Sequence, residues 1–479
     1  MKIRFALSAV ILSGLCGIAL AQAPAKAPAK GPAKKAAPAA TAPKAGMTVP
    51  RVVIQNHTLA NGLKLVMVED HSTPVISLQM WYHVGSKDER PGRTGFAHFF
   101  EHMLFKGSKN VPPDTHSRII EAAGGVDNAT TRDDVTIYYQ TFPANYLERV
   151  IWLEADRLAG LIVDDANFKS EREVVKEERR TRLENATYGL VVEDLYRAAF
   201  SVHPYKQVGI GTIEDLNKAE VKDVVDFHKT FYRTDNLTVI IVGDFTAANA
   251  IALAQKYFGP IAKPTAPLPR VTVLEPPQKA EKRVTKWYGN YSPLPGVIQG
   301  YRMPAMCSPD SYPLNLAANI LSNGESSRLF RKLVYEDQIA VQTAGFGNFT
   351  EHPNLFWVFA IMNPGKSPAE GEKAIDAELE RMKKEPVSAE ELTKAKNQMV
   401  ASSVFNLQTD EQKAFSIGNL AVICKDANLI NTQLDRYLAV TAADIQRVAQ
   451  KYFLPTQRTV LVIEPPAGEK KPAAGKDGK

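Results

Sequence analysis

The sequence predicts an α+β protein of two homologous domains, each a mixed or antiparallel sheet packed with helices. Three observations carry this expectation. The chain has 479 residues, 44% hydrophobic and 23% charged, which is too long for one ordinary core and typical of soluble globular proteins. A helix–turn–strand pattern that closes one half of the chain recurs at the end of the other. A pair of histidines with an adjacent glutamate stands in the first copy alone.

The N-terminus reads as a targeting segment. Met1 to Arg4 is basic, Phe5 to Ala21 is an apolar run, and Ala19-Leu20-Ala21 is a small-x-small cleavage site, the layout of a secretory signal peptide (residues 1–21). A membrane anchor is the alternative, for which the run is short. Leu15 before Cys16 argues against lipidation. No later stretch reads as a stable membrane span. Residues 22–50 are almost wholly Ala, Pro and Lys and predict an extended, solvated tether. The tail, residues 465–479, is also Lys-rich and predicts disorder. Without these ends the net charge of +6 becomes −3 for residues 51–464. The basic balance therefore lies outside the folded part, and no nucleic-acid partner is expected.

The first domain, residues 51–265, contains His98-Phe99-Phe100-Glu101-His102. On a helix, residues three and four apart share a face. Two imidazoles at that spacing can grip a zinc ion from one turn, and a carboxylate beside them can accept a proton from water. Thr94 is expected to cap this helix, Gly95 to Lys106, with Gly107 as its stop. Farther on, Glu171, Val174, Val175 and Glu178 occupy one helical stripe at i, i+3, i+4 and i+7. Two valines between two glutamates are unusual for a purely solvated face. Glu178 is the expected third ligand, which leaves a fourth position for water. Glu171 is the expected outer group that orients a histidine or Glu178. Spacing alone leaves the two interchangeable.

Residues 223–242 supply the repeat. Asp223 to Tyr232 is an amphipathic helix ending in two aromatics, followed through Asn236 by the strand Thr238 to Val242. Asp444 to Phe453, Gln457 and Thr459 to Ile463 match it at a constant offset of 221. The stretches Ile76–Tyr82 and Val297–Tyr301 share that offset. The Pro-rich linker, residues 266–280, joins the copies, because neither a helix nor a central strand tolerates it. In the second domain, residues 281–464, the stretch matching the histidine helix is Leu316 to Ser322, with no ligand residue. Cleavage after Ala21 leaves Cys307 and Cys424, either paired or as two buried thiols.

With these blocks in place the chain resembles the pitrilysin or insulinase-type zinc metallopeptidases, in the short two-domain branch of mitochondrial processing peptidase and its bacterial relatives. That family carries H-x-x-E-H, the inverzincin order, and downstream E-R-x-x-V-x-x-E, matched here by Glu171-Arg172, Val175 and Glu178. The resemblance runs from Val52 to about Glu464 and includes Gly124 to Thr131, His203-Pro204-Tyr205 and Gly324 to Phe330. It implies a clam-shell half, a Zn2+ cofactor held by His98, His102 and Glu178, and Glu101 as general base. It also implies an edge strand over Gly124 to Thr131 to which a peptide adds as a further strand, with Asn128 and Ala129 touching substrate.

One departure matters. Members of the family carry an Arg and, seven residues on, a Tyr in the second domain that stabilise developing charge. The matching positions here are Val334 and Val341, which cannot donate. Tyr335 and Gln338 stand nearby in the wrong register. The resemblance thus implies a zinc endopeptidase acting on peptides or unstructured segments as the zinc-bearing subunit of a heterodimer, its homologous partner supplying the Arg/Tyr pair. A homodimer is the lesser expectation. The alternative function is a non-catalytic zinc-binding scaffold or assembly subunit of the same fold. The signal peptide implies a periplasmic or secreted protein.

Overall fold

The computed structural model describes residues 50–207 and 209–465. The expected signal peptide, the tether and the tail beyond residue 465 lie outside the described residues. Among the described residues no helix is long and apolar enough to cross a membrane.

Eleven strands form two sheets among the described residues. The first contains β1 (Gln55–Thr58), β2 (Lys64–Glu69), β3 (Val75–Tyr82), β4 (Val126–Thr131), β5 (Thr136–Pro143) and β6 (Leu237–Gly243). Their order is β1-β2-β6-β3-β5-β4. The second contains β7 (Lys282–Lys286), β8 (Gly296–Met303), β9 (Ala340–Gly347), β10 (Asn354–Met362) and β11 (Arg458–Ile463), in the order β7-β11-β8-β10-β9. Apart from β1 the two orders are the same. Both sheets are mixed: β2 runs parallel to β6 and β7 parallel to β11, and the other neighbours are antiparallel.

The first half carries helices α1 (Phe96–Met103), α2 (Thr115–Ala122), α3 (Leu147–Ala159), α4 (Asp165–Arg179), α5 (Val191–Ala199), α6 (Ile213–Asn217), α7 (Val221–Phe231) and α8 (Ala247–Tyr257). The second carries α9 (Ser311–Ser322), α10 (Pro368–Lys384), α11 (Ala389–Phe405), α12 (Asp410–Ile423), α13 (Gln433–Ala439) and α14 (Ala442–Tyr452). The starts of β3 and β8, of α7 and α14, and of β6 and β11 all differ by 221 (75 to 296, 221 to 442, 237 to 458). No regular element lies between Tyr257 and Lys282.

Each sheet is covered on one face by its own half of the chain. Leu78, Met80, Tyr138 and Ile241 pack with Phe99, Phe100, Leu153 and Phe227 in the first core, and Val297, Phe356 and Val460 pack with Leu316, Ile375 and Val448 in the second. The opposite faces are exchanged. Ala414, Ile417, Val422 and Ile423 of α12 pack on Trp81, Ile137, Ile240 and Val242 of the first sheet. Reciprocally, Val191, Leu195, Tyr196 and Ala199 of α5 pack on Ile298, Trp357, Leu461 and Ile463 of the second. Both faces of the central strands are therefore buried, as the runs of apolar residues in β6 and β10 require.

Cys307 and Cys424 form a disulfide joining the loop after β8 to the end of α12. Of the two states the sequence left open, the structure has the pair. Neither cysteine is buried, since Cys307 is exposed and Cys424 half-buried.

Candidate metal centre and active site

Two helices of the first half meet at the site. α1 is shorter than the sequence predicts and begins differently. It spans Phe96–Met103, capped by Gly95 in the left-handed region (φ 84°). Thr94 does not cap it. Its hydroxyl donates to Asp215 and accepts from Thr212 N–H. Glu89 takes the capping role instead, accepting from the N–H groups of Gly95 (2.9 Å) and Ala97 (2.8 Å). A carboxylate at a helix N-terminus satisfies orphan donors there, but one reaching in from an upstream turn leaves no sequence pattern. A Cβ on Gly95 would lie 2.4 Å from the Ile210 carbonyl oxygen, so this left-handed corner admits only glycine.

α4 is capped by Asp164, whose side chain accepts from Asn167 N–H, and lies against α1. Glu171 and Val175 are buried and Glu178 nearly so, as the stripe predicts. Val174 is the exception: it is 46% exposed, because the buried face of α4 is narrower than four positions and follows the i, i+4, i+7 edge.

The structure brings His98, His102 and Glu178 together, with one ligand atom from each within 4.8 Å of the others. Among the described residues this is the only such group. Glu178 Oε2 lies 3.7 Å from His98 Nε2 and 3.3 Å from His102 Nε2. Ligands about 2.0–2.2 Å from a tetrahedral ion stand about 3.3–3.6 Å apart, so the donor set fits zinc in type and spacing. The geometry also separates the two glutamates that spacing left interchangeable. Glu171 Oε2 faces the other ring nitrogen of His102, Nδ1, at 3.3 Å, and its Oε1 takes Lys106 Nζ at 3.0 Å. His98 Nδ1 is buried without a protein partner.

Glu101 is 8% exposed and accepts from Thr131 Oγ1 at 2.6 Å. Burial pushes its carboxyl up to about 7, against the pull of His102 and Thr131. Burial and the charge of His102 push His98 down to about 3. Burial also opposes charge on His102, but Glu171 and Glu178 outweigh it and raise that ring to about 9. Glu178 goes the other way: burial opposes its charge, yet His102, His98 and Arg182 hold it down to about 2.

These groups line a cavity of about 280 Å³ together with Phe105, Lys106, Asn128, Ala129 and Arg182. Asn128 and Ala129 lie on β4, the outer strand of the first sheet, whose other edge is free of strand partners among the described residues. Arg182 and Lys106 are the two charged members of this lining that the sequence reading missed, and Phe105 is the apolar one. Both basic residues have their charge turned inward by a glutamate of α4, and a glutamate stripe flanked by basic residues was the only signal available. In the second half of the chain Val334, in the turn Phe330–Glu336, packs half-buried against the core, and Val341 is 47% exposed on β9. The valines bring no hydrogen-bond donor to either position.

Two family models match the chain: Insulinase (Peptidase family M16) over residues 64–212, and Peptidase M16 inactive domain over residues 218–399. The zinc protease PqqE of Helicobacter pylori is 30% identical over 410 residues, covering 85% of this chain and 92% of that protein. The mitochondrial-processing peptidase subunit beta of Lentinula edodes is 23% identical over 409 residues, covering 83% and 86%. Among solved structures, a protease from Helicobacter pylori aligns with a TM-score of 0.83 at 30% identity, covering 87% of this chain and 100% of that one.

Proposed function

The chain belongs to the insulinase (M16) peptidase family, and on that premise we propose that it is a zinc-dependent endopeptidase working as the zinc-bearing subunit of a heterodimer. The observation that carries the reading is the convergence of His98 Nε2, His102 Nε2 and Glu178 Oε2 beside the buried carboxyl of Glu101.

His98, His102 and Glu178 would hold the ion. Zinc, when bound, supplies the Lewis acidity that activates water and polarises a peptide carbonyl. Glu101 accepts the water's proton on a carboxylate oxygen and returns it to the leaving amine. Thr131 holds Glu101 in place, and Glu171 turns His102 by its Nδ1–H. The peptide adds to the open edge of β4 and is aligned by backbone hydrogen bonds, so side chains are tolerated broadly. Asn128 and Ala129 lie where its backbone would pass.

At the positions of the family's Arg and Tyr, Val334 and Val341 offer the developing oxyanion no side-chain donor. A homologous partner carrying an Arg/Tyr pair would supply one. The name of the fungal relative, a subunit of a processing peptidase, is in keeping with a divided site. The Cys307–Cys424 disulfide supports a periplasmic or secreted location, since disulfides persist outside the reducing cytoplasm. The same two valines favour the second reading, a zinc-binding scaffold without catalysis.

The test is zinc-dependent cleavage of an unstructured peptide library by the mature chain, alone and with an Arg/Tyr-bearing homologue, with Glu101→Gln as control. Activity is expected only in the pair and should fall about 10²–10⁴-fold in the control. Robust activity of a verified monomer or homodimer would overturn the divided site. Stoichiometric zinc without activity in any pairing would establish the scaffold.

A further inference from the structure

The two glutamates of α4 that face the site, Glu171 and Glu178, divide their oxygens between the histidines and a cation. In Glu171, Oε2 faces His102 and Oε1 faces Lys106. In Glu178, Oε2 faces both histidine Nε2 atoms, while Oε1 is ion-paired with Arg182 Nη1. Arg182 lies in a π-helical turn, Arg180–Glu184, that continues α4 directly. Such turns recur at functional sites because they re-aim side chains. Its basic neighbours look elsewhere: Arg179 to Glu184 and Glu193, Arg180 to Glu177. Arg182 alone turns into the cavity, with 43% of its side chain exposed and Glu178 its only carboxylate partner among the described residues.

A carboxylate can present one oxygen or two to a cation, and a catalytic zinc works with three protein ligands and one open position. A guanidinium fixed on the outer oxygen decides between these modes. We propose that Arg182 is a positioning residue that keeps Oε1 of Glu178 occupied, so that only Oε2 is offered to the ion and one coordination position stays open for water. Lysine would keep the charge as a compact ammonium in place of a planar fork, so it replaces arginine in part. Methionine keeps the apolar stem and loses the restraint.

The proposal rests on the zinc-site reading above, and its test separates the two. Wild type, Arg182→Met and Arg182→Lys are loaded with Co²⁺, whose visible absorption is intense when four-coordinate and weak when five-coordinate. Zinc affinity is measured in parallel by competition with a chromogenic chelator. We expect intense four-coordinate bands in the wild type, weakened bands and about tenfold lower zinc affinity in Arg182→Met, and partial recovery of both in Arg182→Lys. A wild type and Arg182→Met with identical spectra and affinities would overturn the proposal alone. Lower affinity with an unchanged spectrum would overturn the one-oxygen role as well. A wild type that binds neither metal would overturn the zinc-site reading and this proposal with it.

Discussion

At the scale of single residues, the site shows what a spacing rule can and cannot carry. His98, Glu101 and His102 are legible because one helical turn fixes their relative positions whatever surrounds them. Glu178 and Glu171 are legible as a stripe, but their separate partners come only from the angle between α1 and α4, which no local pattern encodes. Glu89 was invisible as a cap because it acts across a turn. His228 gives a prediction at this scale. Its Nε2–H donates to the Leu158 carbonyl at 3.0 Å, and its ring stacks on Phe100 of α1 at 5.8 Å. Burial, with Lys229 adding to it, pushes the ring down to about 4 from the usual 6.5, the Leu158 carbonyl opposing. Between those values the unfolded chain binds a proton that the folded chain refuses. This residue therefore subtracts stability as pH falls from about 6.5 to about 4, on the order of 1–3 kcal/mol, and no more below that. Urea unfolding of His228→Gln across pH 4–7.5 should show a shallower acid decline than the wild type. Identical slopes would sink the assignment.

At the scale of elements, the repeat carried the fold. The constant offset of 221 placed β3 with β8, α7 with α14 and β6 with β11, because identical helix and strand periods imply identical packing partners. The π-helical turns Arg180–Glu184 and Phe330–Glu336 left no signal, since a π turn uses the same residues as an α turn. Nor did sequence show that α5 and α12 change sides, since an amphipathic helix does not state which sheet it covers. The contact of α12 is close. A Cβ on Gly418 would meet the fully buried Trp81 ring at 2.2–2.5 Å, and the indole cannot retreat, as its N–H is held by Gln79. Alanine should gain about 1 kcal/mol in helix propensity and lose about 1–3 kcal/mol to overpacking. Gly418→Ala is therefore expected to lower the denaturation midpoint, and Gly418→Val to lower it further. A more stable alanine variant would show that α12 sits farther from the sheet.

At the scale of the whole molecule, the reciprocal exchange means that neither half buries both faces of its own sheet. Without the other, the first half would expose Trp81, Ile137, Ile240 and Val242, and the second Ile298, Trp357, Leu461 and Ile463. Apolar faces of that extent drive association. Expressed separately, residues 51–262 and 278–464 should be insoluble or unfolded. Expressed together, they should copurify and unfold as one unit. Cooperative unfolding of the first half alone would contradict this.

The linker then takes on a different meaning. Since the halves interlock, the peptide between Tyr257 and Lys282 acts mainly to hold each half at a high local concentration for the other, on the order of millimolar for a short tether. When the molecule opens, that advantage must compete with the total protein concentration. A loosened half can be captured by the complementary half of a neighbouring molecule, through the same contacts and with no new surface. Crowded or partly denatured solutions should therefore contain exchanged dimers and short chains of otherwise native protein, which disperse again on dilution.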